Sequence, residues 1–160
     1  MIVAHKKAFS MITAIFVIII MASVGILVMN VTSKTIKETT QQYRKEQAVL
    51  LAKSYTEFAI MAVTANDRPN GCVEEISGDD ILADADSGKG YLVDANISYI
   101  GKDSTANLVG NCSAGSILDS NVDTNGSDLQ IIVDVYVKYK ELDNPNADWI
   151  TYHRRTLQKI

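Results

Sequence analysis

The side chains able to do chemistry in this sequence are few and widely spaced. Cys72 and Cys112 are its two cysteines, His5 and His153 its two histidines. With no C-x-x-C spacing and the histidines at opposite ends, a zinc or dithiol redox site has no ligand set to draw on. An even pair of cysteines in an oxidising compartment is instead a disulfide candidate, and a loop of about 40 residues closed that way is worth roughly 4 kcal/mol. Asp79, Asp80, Asp84 and Asp86 form one cluster of hard oxygen donors, and Asp119, Asp123, Asn125 and Asp128 another. Calcium takes such ligands, although neither cluster has EF-hand spacing and solvated turns carry the same residues. Asp94 to Ser98 and Asp123 to Ser127 both fit an acidic-x-Asn-x-Ser pattern, which makes Asn96 and Asn125 candidates for N-glycosylation. Lys138, Lys140, Arg154, Arg155 and Lys159 are close enough in sequence to build a local basic patch for nucleic acid. No nucleophile motif is present, and Gly88-Lys89-Gly90 is too short for a phosphate loop. The expectation is a protein that is not an enzyme and has no cofactor beyond the calcium candidates.

These residues depend on the elements that carry them, and the first is a membrane-length segment. Ala8 to Ser33 contains no charged residue. Its roughly 26 residues, at about 1.5 Å each in a helix, exceed a hydrocarbon core of about 30 Å. A secretory signal has an apolar stretch of only about 7 to 15 residues, and Ile20-Met21-Ala22 makes a poor cleavage site. A permanent single-pass anchor is expected. Helical periodicity continues from Lys34 to Val63, with Tyr43, Gln47, Leu50, Leu51, Ser54, Tyr55, Phe58 and Ala62 as the stripe expected to pack on a sheet. Asn66 to Gly71 supplies the turn formers that end the helix. Beyond it, Tyr91, Val93, Ala95, Ile97 and Tyr99 alternate as in a strand, as do Leu129 through Tyr139, and more loosely Trp149, Thr151, His153, Arg155 and Leu157. The fold class expected is α+β: a long N-terminal α-helix, membrane-spanning in its first half, with a small antiparallel β-sheet head of three or four strands packed on its second half.

The stretch Lys6-Lys7-Ala8-Phe9-Ser10-Met11-Ile12-Thr13 resembles the processing site of the type IV pilin and type II secretion pseudopilin family. That resemblance covers Lys6 to about Met61. It implies a leader at 1–8 cut by prepilin peptidase between Ala8 and Phe9, with Phe9 becoming a methylated mature N-terminus. It implies a transmembrane helix half at 9–33, an amphipathic half at 34–63 and an exported pilin-like head at 64–160. Ala8 replaces the family's usual glycine. Thr13 stands where most members carry a glutamate that neutralises a neighbouring subunit's terminal ammonium, and members lacking that acid are minor subunits. Asn30 replaces a proline that kinks many members' helices.

The implied function is assembly through the N-terminal helix as a minor pilin or pseudopilin in a type II secretion or type IV pilus machine. Two alternatives from other classes are a minor pilin for DNA uptake and a generic anchored sensory or binding domain. The implied partners are other pilin or pseudopilin subunits, the inner-membrane assembly platform, prepilin peptidase and inner-membrane lipid. A formal charge of −4, made more negative by two on loss of Lys6 and Lys7, disfavours nucleic acid as a general partner. Lys6 and Lys7 would hold the N-terminus in the cytoplasm, leaving the head periplasmic or in an extracellular filament.

Overall fold

The structure, a computed structural model, describes residues 5–66, 71–101, 112–120, 122, 129–142 and 144–160. One helix, α1 (His5–Ala65), is followed by five strands: β1 (Glu75–Ile81), β2 (Tyr91–Gly101), β3 (Ile117–Asp119), β4 (Leu129–Tyr139) and β5 (Ile150–Lys159). The chain divides into two compact units, Met1–Gln42 and Tyr43–Ile160.

In the first unit α1 runs without proline, and every large apolar side chain from Met11 to Val31 is more than half exposed. A helix whose apolar side chains are exposed all round, among the described residues, has the surface of a membrane-embedded segment. It is long and apolar enough to cross a membrane once. Its hydroxyls are satisfied within the helix: Ser23 Oγ donates to Ile20 O, Thr32 to Val28 O, Ser33 to Met29 O, Thr35 to Val31 O, Thr39 to Thr35 O and Thr40 to Ile36 O.

In the second unit the sheet order is β1-β2-β4-β5, all antiparallel, with the short β3 beside β2 in parallel. β2 and β4 are eleven residues each, alternate strictly, and pair without a shift from Leu92↔Lys138 to Gly101↔Leu129. One face, carrying Tyr91, Val93, Ala95, Ile97, Tyr99, Leu129, Ile131, Val133, Val135, Val137 and Tyr139, forms the core with Ala48, Ala52, Ala59 and Val63 of α1. That is the α+β architecture expected, with five strands rather than three or four; β1 and β3 escaped the sequence reading because neither is an apolar alternation.

The buried face of the helix is turned from the one expected: Leu51 and Tyr55 of the expected stripe pack against the core half-buried, but they are not its centre. Arg44, Ala48, Ala52, Thr56, Ala59 and Val63 are buried, whereas Tyr43, Leu50 and Phe58 are exposed. Small side chains let a helix lie close on a sheet, so the line of alanines won the interface over the line of larger residues. A similar inversion holds at β5, where Tyr152, Arg154, Thr156 and Gln158 are half-buried on the helix-facing side and the alternation running from Thr151 to Leu157 faces outward.

The chain leaves α1 through Asn66, whose amide donates to Gly71 O at 2.6 Å, and Gly71 sits at φ +143°, which favours glycine. The β1–β2 connection folds on itself: Asp84 O accepts from Lys89 N and Gly90 N, and a Cβ on Gly90 would collide with the backbone of Ala83.

Candidate functional site

Ala8 and Phe9 lie within α1, and Thr13 lies on its first unit, in the segment fit to span a membrane. The side chains of 5–10 are outside the described residues.

Cys72 and Cys112 are bonded, with Cα atoms 5.0 Å apart and a sequence separation of 40. The segments flanking the bridge are clasped a second time. Glu74 accepts hydrogen bonds from Ser113 N at 2.5 Å, Ser113 Oγ at 2.8 Å and Ser116 Oγ at 3.1 Å. Those bonds, led by the Ser113 N–H, hold its carboxyl below the usual carboxylate range. Tyr99 Oη donates to Val73 O at 2.6 Å.

The outer face of the sheet carries a polar cluster made by register. Asp134 on β4 lies opposite Arg155 on β5, and Tyr136 opposite His153. Arg155 donates both Nε and Nη2 to the Asp134 carboxylate at 2.8 Å, and His153 Nε2 lies 2.7 Å from the same group. The His153 ring stacks on Tyr136 at 4.5 Å. The paired Arg155 guanidinium, against the opposing effect of burial, holds the Asp134 carboxyl below its ordinary value.

Arg44, a charged residue of α1, is buried. It reaches between the rings of Tyr91 and Tyr139, 4.7 and 5.5 Å from their centroids, and donates to Gly90 O at 2.9 Å and Lys89 O at 3.3 Å. Burial pushes the hydroxyls of Tyr91 and Tyr139 up, though the nearby cation acts the other way. A lone arginine within an amphipathic helix gave no hint of this role; the two tyrosines at the ends of β2 and β4 were the available signal.

The first aspartate cluster builds its own loop. Asp84 Oδ1 accepts from Asp86 N and Ser87 N, and Asp80 Oδ1 from Ala85 N. Among the described residues no group of three or more His, Cys, Asp or Glu is placed to hold a metal. Of the second cluster Asp119 ends β3, while Asp123, Asn125 and Asp128 lie outside the described residues, as does Asn125 as a glycosylation candidate. Asn96 is exposed but central in β2, paired with Glu75 on one side and Asp134 on the other, and Asp94 of the same pattern is held by Lys138 at 2.9 Å. A residue fixed there cannot adopt the turn that a modifying enzyme needs while the sheet stays intact.

Three of the five cations, Lys138, Arg155 and Lys159, share the outer face, and the other two lie elsewhere. Lys138 and Arg155 are on the outer face with acid partners, Arg154 is on the helix-facing side, and Lys140 lies against Trp149 at 4.6 Å while donating to Pro145 O. Lys159 closes β5 on the outer face.

On the head, exposed Leu50 and half-buried Leu51 line a shallow apolar groove with Gln47, Ser54 and Leu82. Leu82 is 70% exposed at φ +70°, an uncommon setting for a branched apolar residue. Comparison with family models, with curated proteins and with solved structures finds no match.

Proposed function

We propose that this chain is a minor pilin or pseudopilin, assembling through its N-terminal helix in a type II secretion or type IV pilus machine. The observation that carries the reading is one helix with two employments: apolar all round from Met11 to Val31, and supplying Ala48, Ala52, Ala59 and Val63 to the core of a head at its other end. An ordinary anchor has no need to continue without a break into the domain it carries. In this reading prepilin peptidase cuts between Ala8 and Phe9, Lys6 and Lys7 hold the leader in the cytoplasm, and the head lies beyond the inner membrane, where an oxidising compartment suits the Cys72–Cys112 bridge. Lys138 and Arg155 are paired with Asp94 and Asp134 and Arg154 lies on the helix-facing side, which favours this structural role over DNA uptake.

N-terminal sequencing and intact mass of protein extracted from membranes are expected to give Phe9 as the first residue. A start at Met1 or near Ser23 would sink the assignment. Thr13 further assigns a low copy number, since a bulk subunit without an acid there leaves a neighbour's ammonium unpaired in an apolar bundle, at several kcal/mol each. Quantitative mass spectrometry of sheared filaments should find the chain far below the major subunit; its dominance would refute the assignment.

A further inference from the structure

The free edge of β5 is built to receive another strand. Ile160 N donates to Leu129 O at 3.1 Å, continuing the register in which Gln130 faces Lys159. In an antiparallel ladder the bonded residues recur every second position, so the even-numbered residues of β5 share their bonds with β4. Thr151, His153, Arg155 and Leu157 then point their N–H and C=O groups away from it. Among the described residues nothing lies beyond β5, the last strand in the sheet order.

The two edges of the sheet are treated differently. β1 is broken by a bulge between Gly78 and Ile81, with Asp80 at φ +52° and Leu82 at +70° just beyond the strand, distortions that turn an edge away from new partners. β5 has no proline and no bulge, and its register with β4 is unbroken from Ile150 to Lys159. What it has is charge: Arg154, Arg155 and Lys159, with no acid along the strand, in a protein of formal charge −4. Arg154 Nε, on the helix-facing side of this same strand, is also buried and has no acceptor among the described residues.

We propose that β5 pairs with an extended segment of a different chain, one that alternates carboxylate and apolar side chains. Its carboxylates would lie beside Arg155 and the ring of His153 on the outer face, where the opposite charge of Arg155 on the adjacent strand attracts them. Its apolar side chains would lie beside Tyr152 and Thr156, half-buried positions that the present sheet leaves open on one side. A second copy fits poorly. Two β5 strands about a two-fold would set cation against cation, and the acidic edge of β1 is bulged. The proposal does not depend on the assembly role above.

The test is amide hydrogen exchange on the full chain in detergent micelles at pH 7, with a blocked Val-Glu-Val-Glu-Val-Glu-Val-Glu-Val peptide and its Lys-for-Glu counterpart as probes. The acidic peptide should slow exchange at Thr151, His153, Arg155 and Leu157 by tenfold or more at saturation, and the basic peptide should leave it unchanged. Leu157→Pro removes an outward donor without touching a β4 bond and should weaken binding about tenfold. If exchange at Val133 and Val135 shows that this variant disturbs the ladder, Thr151→Pro replaces it. No slowing with the acidic peptide, equal slowing with both, or unchanged binding by a folded proline variant would overturn the proposal. So would slowing that follows protein concentration alone, which would mean copies pair with each other.

Discussion

Replacing Arg44 by Met tests whether the buried guanidinium fixes the helix to the sheet. The change keeps the volume and the apolar stem and removes the charge. The Gly90 bond at 2.9 Å is a full hydrogen bond from a charged donor, worth about 1.5–3 kcal/mol, and the 3.3 Å bond to Lys89 O adds less. The contacts at 4.7 and 5.5 Å from the Tyr91 and Tyr139 centroids contribute roughly 0.5–2 kcal/mol each. Against them stands the cost of desolvating a cation 4% exposed, several kcal/mol, which methionine does not incur. Methionine does leave Gly90 O without its side-chain donor, at about 1–3 kcal/mol. The expected net loss is about 2–3 kcal/mol. Arg44→Lys, which keeps the charge but neither the planar stacking nor the two-carbonyl reach, should lose about 1 kcal/mol. Denaturant unfolding in detergent, followed by the fluorescence of Trp149, measures both, because the protein has no other tryptophan. A methionine variant as stable as the parent, or more so, would refute the reasoning and show that desolvation outweighs every contact Arg44 makes.

Two further outcomes follow from the sheet and its bridge. Replacing Cys72 and Cys112 together by serine should cost about 4 kcal/mol for a loop of this length, and thiol labelling of the denatured, non-reduced parent should find neither cysteine free. The Asp134 carboxyl titrates lower folded than unfolded, so its contribution is fully present above the unfolded value of about 3.9 and disappears as pH falls through the lower folded one. Asp134→Asn should therefore destabilise the head at pH 7 and flatten its acid-side loss of stability below about pH 4; an unchanged acid limb would show that the Arg155 pairing is not what sets it.

Reading the sequence succeeded where one physical signal dominated. The uncharged run and the strict alternations of β2 and β4 announce their burial through periodicity alone. β1, Glu-Ile-Ser-Gly-Asp-Asp-Ile, is held by pairing with β2 rather than by apolar side chains, so its composition looks like loop. The helix face was only partly placed, with Leu51 and Tyr55 at the edge of the core, because large apolar residues are the usual marker of an interface, whereas here close approach favoured Ala48, Ala52 and Ala59. The Asp134, His153 and Arg155 cluster arises from register across two strands separated by a loop, and no local pattern encodes which residue of β5 lies opposite which of β4.

The internally bonded hydroxyls at the head-ward end of the apolar run have a mechanical consequence. Asn30, Val31, Thr32 and Ser33 form about one turn, and only Val31 is apolar; Thr32 and Ser33 carry their own hydrogen bonds with them into either phase. Lifting the helix by that turn, about 5.4 Å, thus withdraws little more than one valine from lipid, about 1.5 kcal/mol. If the helix is anchored as proposed above, the same motion at the opposite end would draw Lys6 and Lys7 toward hydrocarbon, at about 2.5–3.5 kcal/mol for each ammonium that reaches its centre. In the processing proposed above, a cut after Ala8 would remove both lysines and with them this cost of moving the helix along the membrane normal.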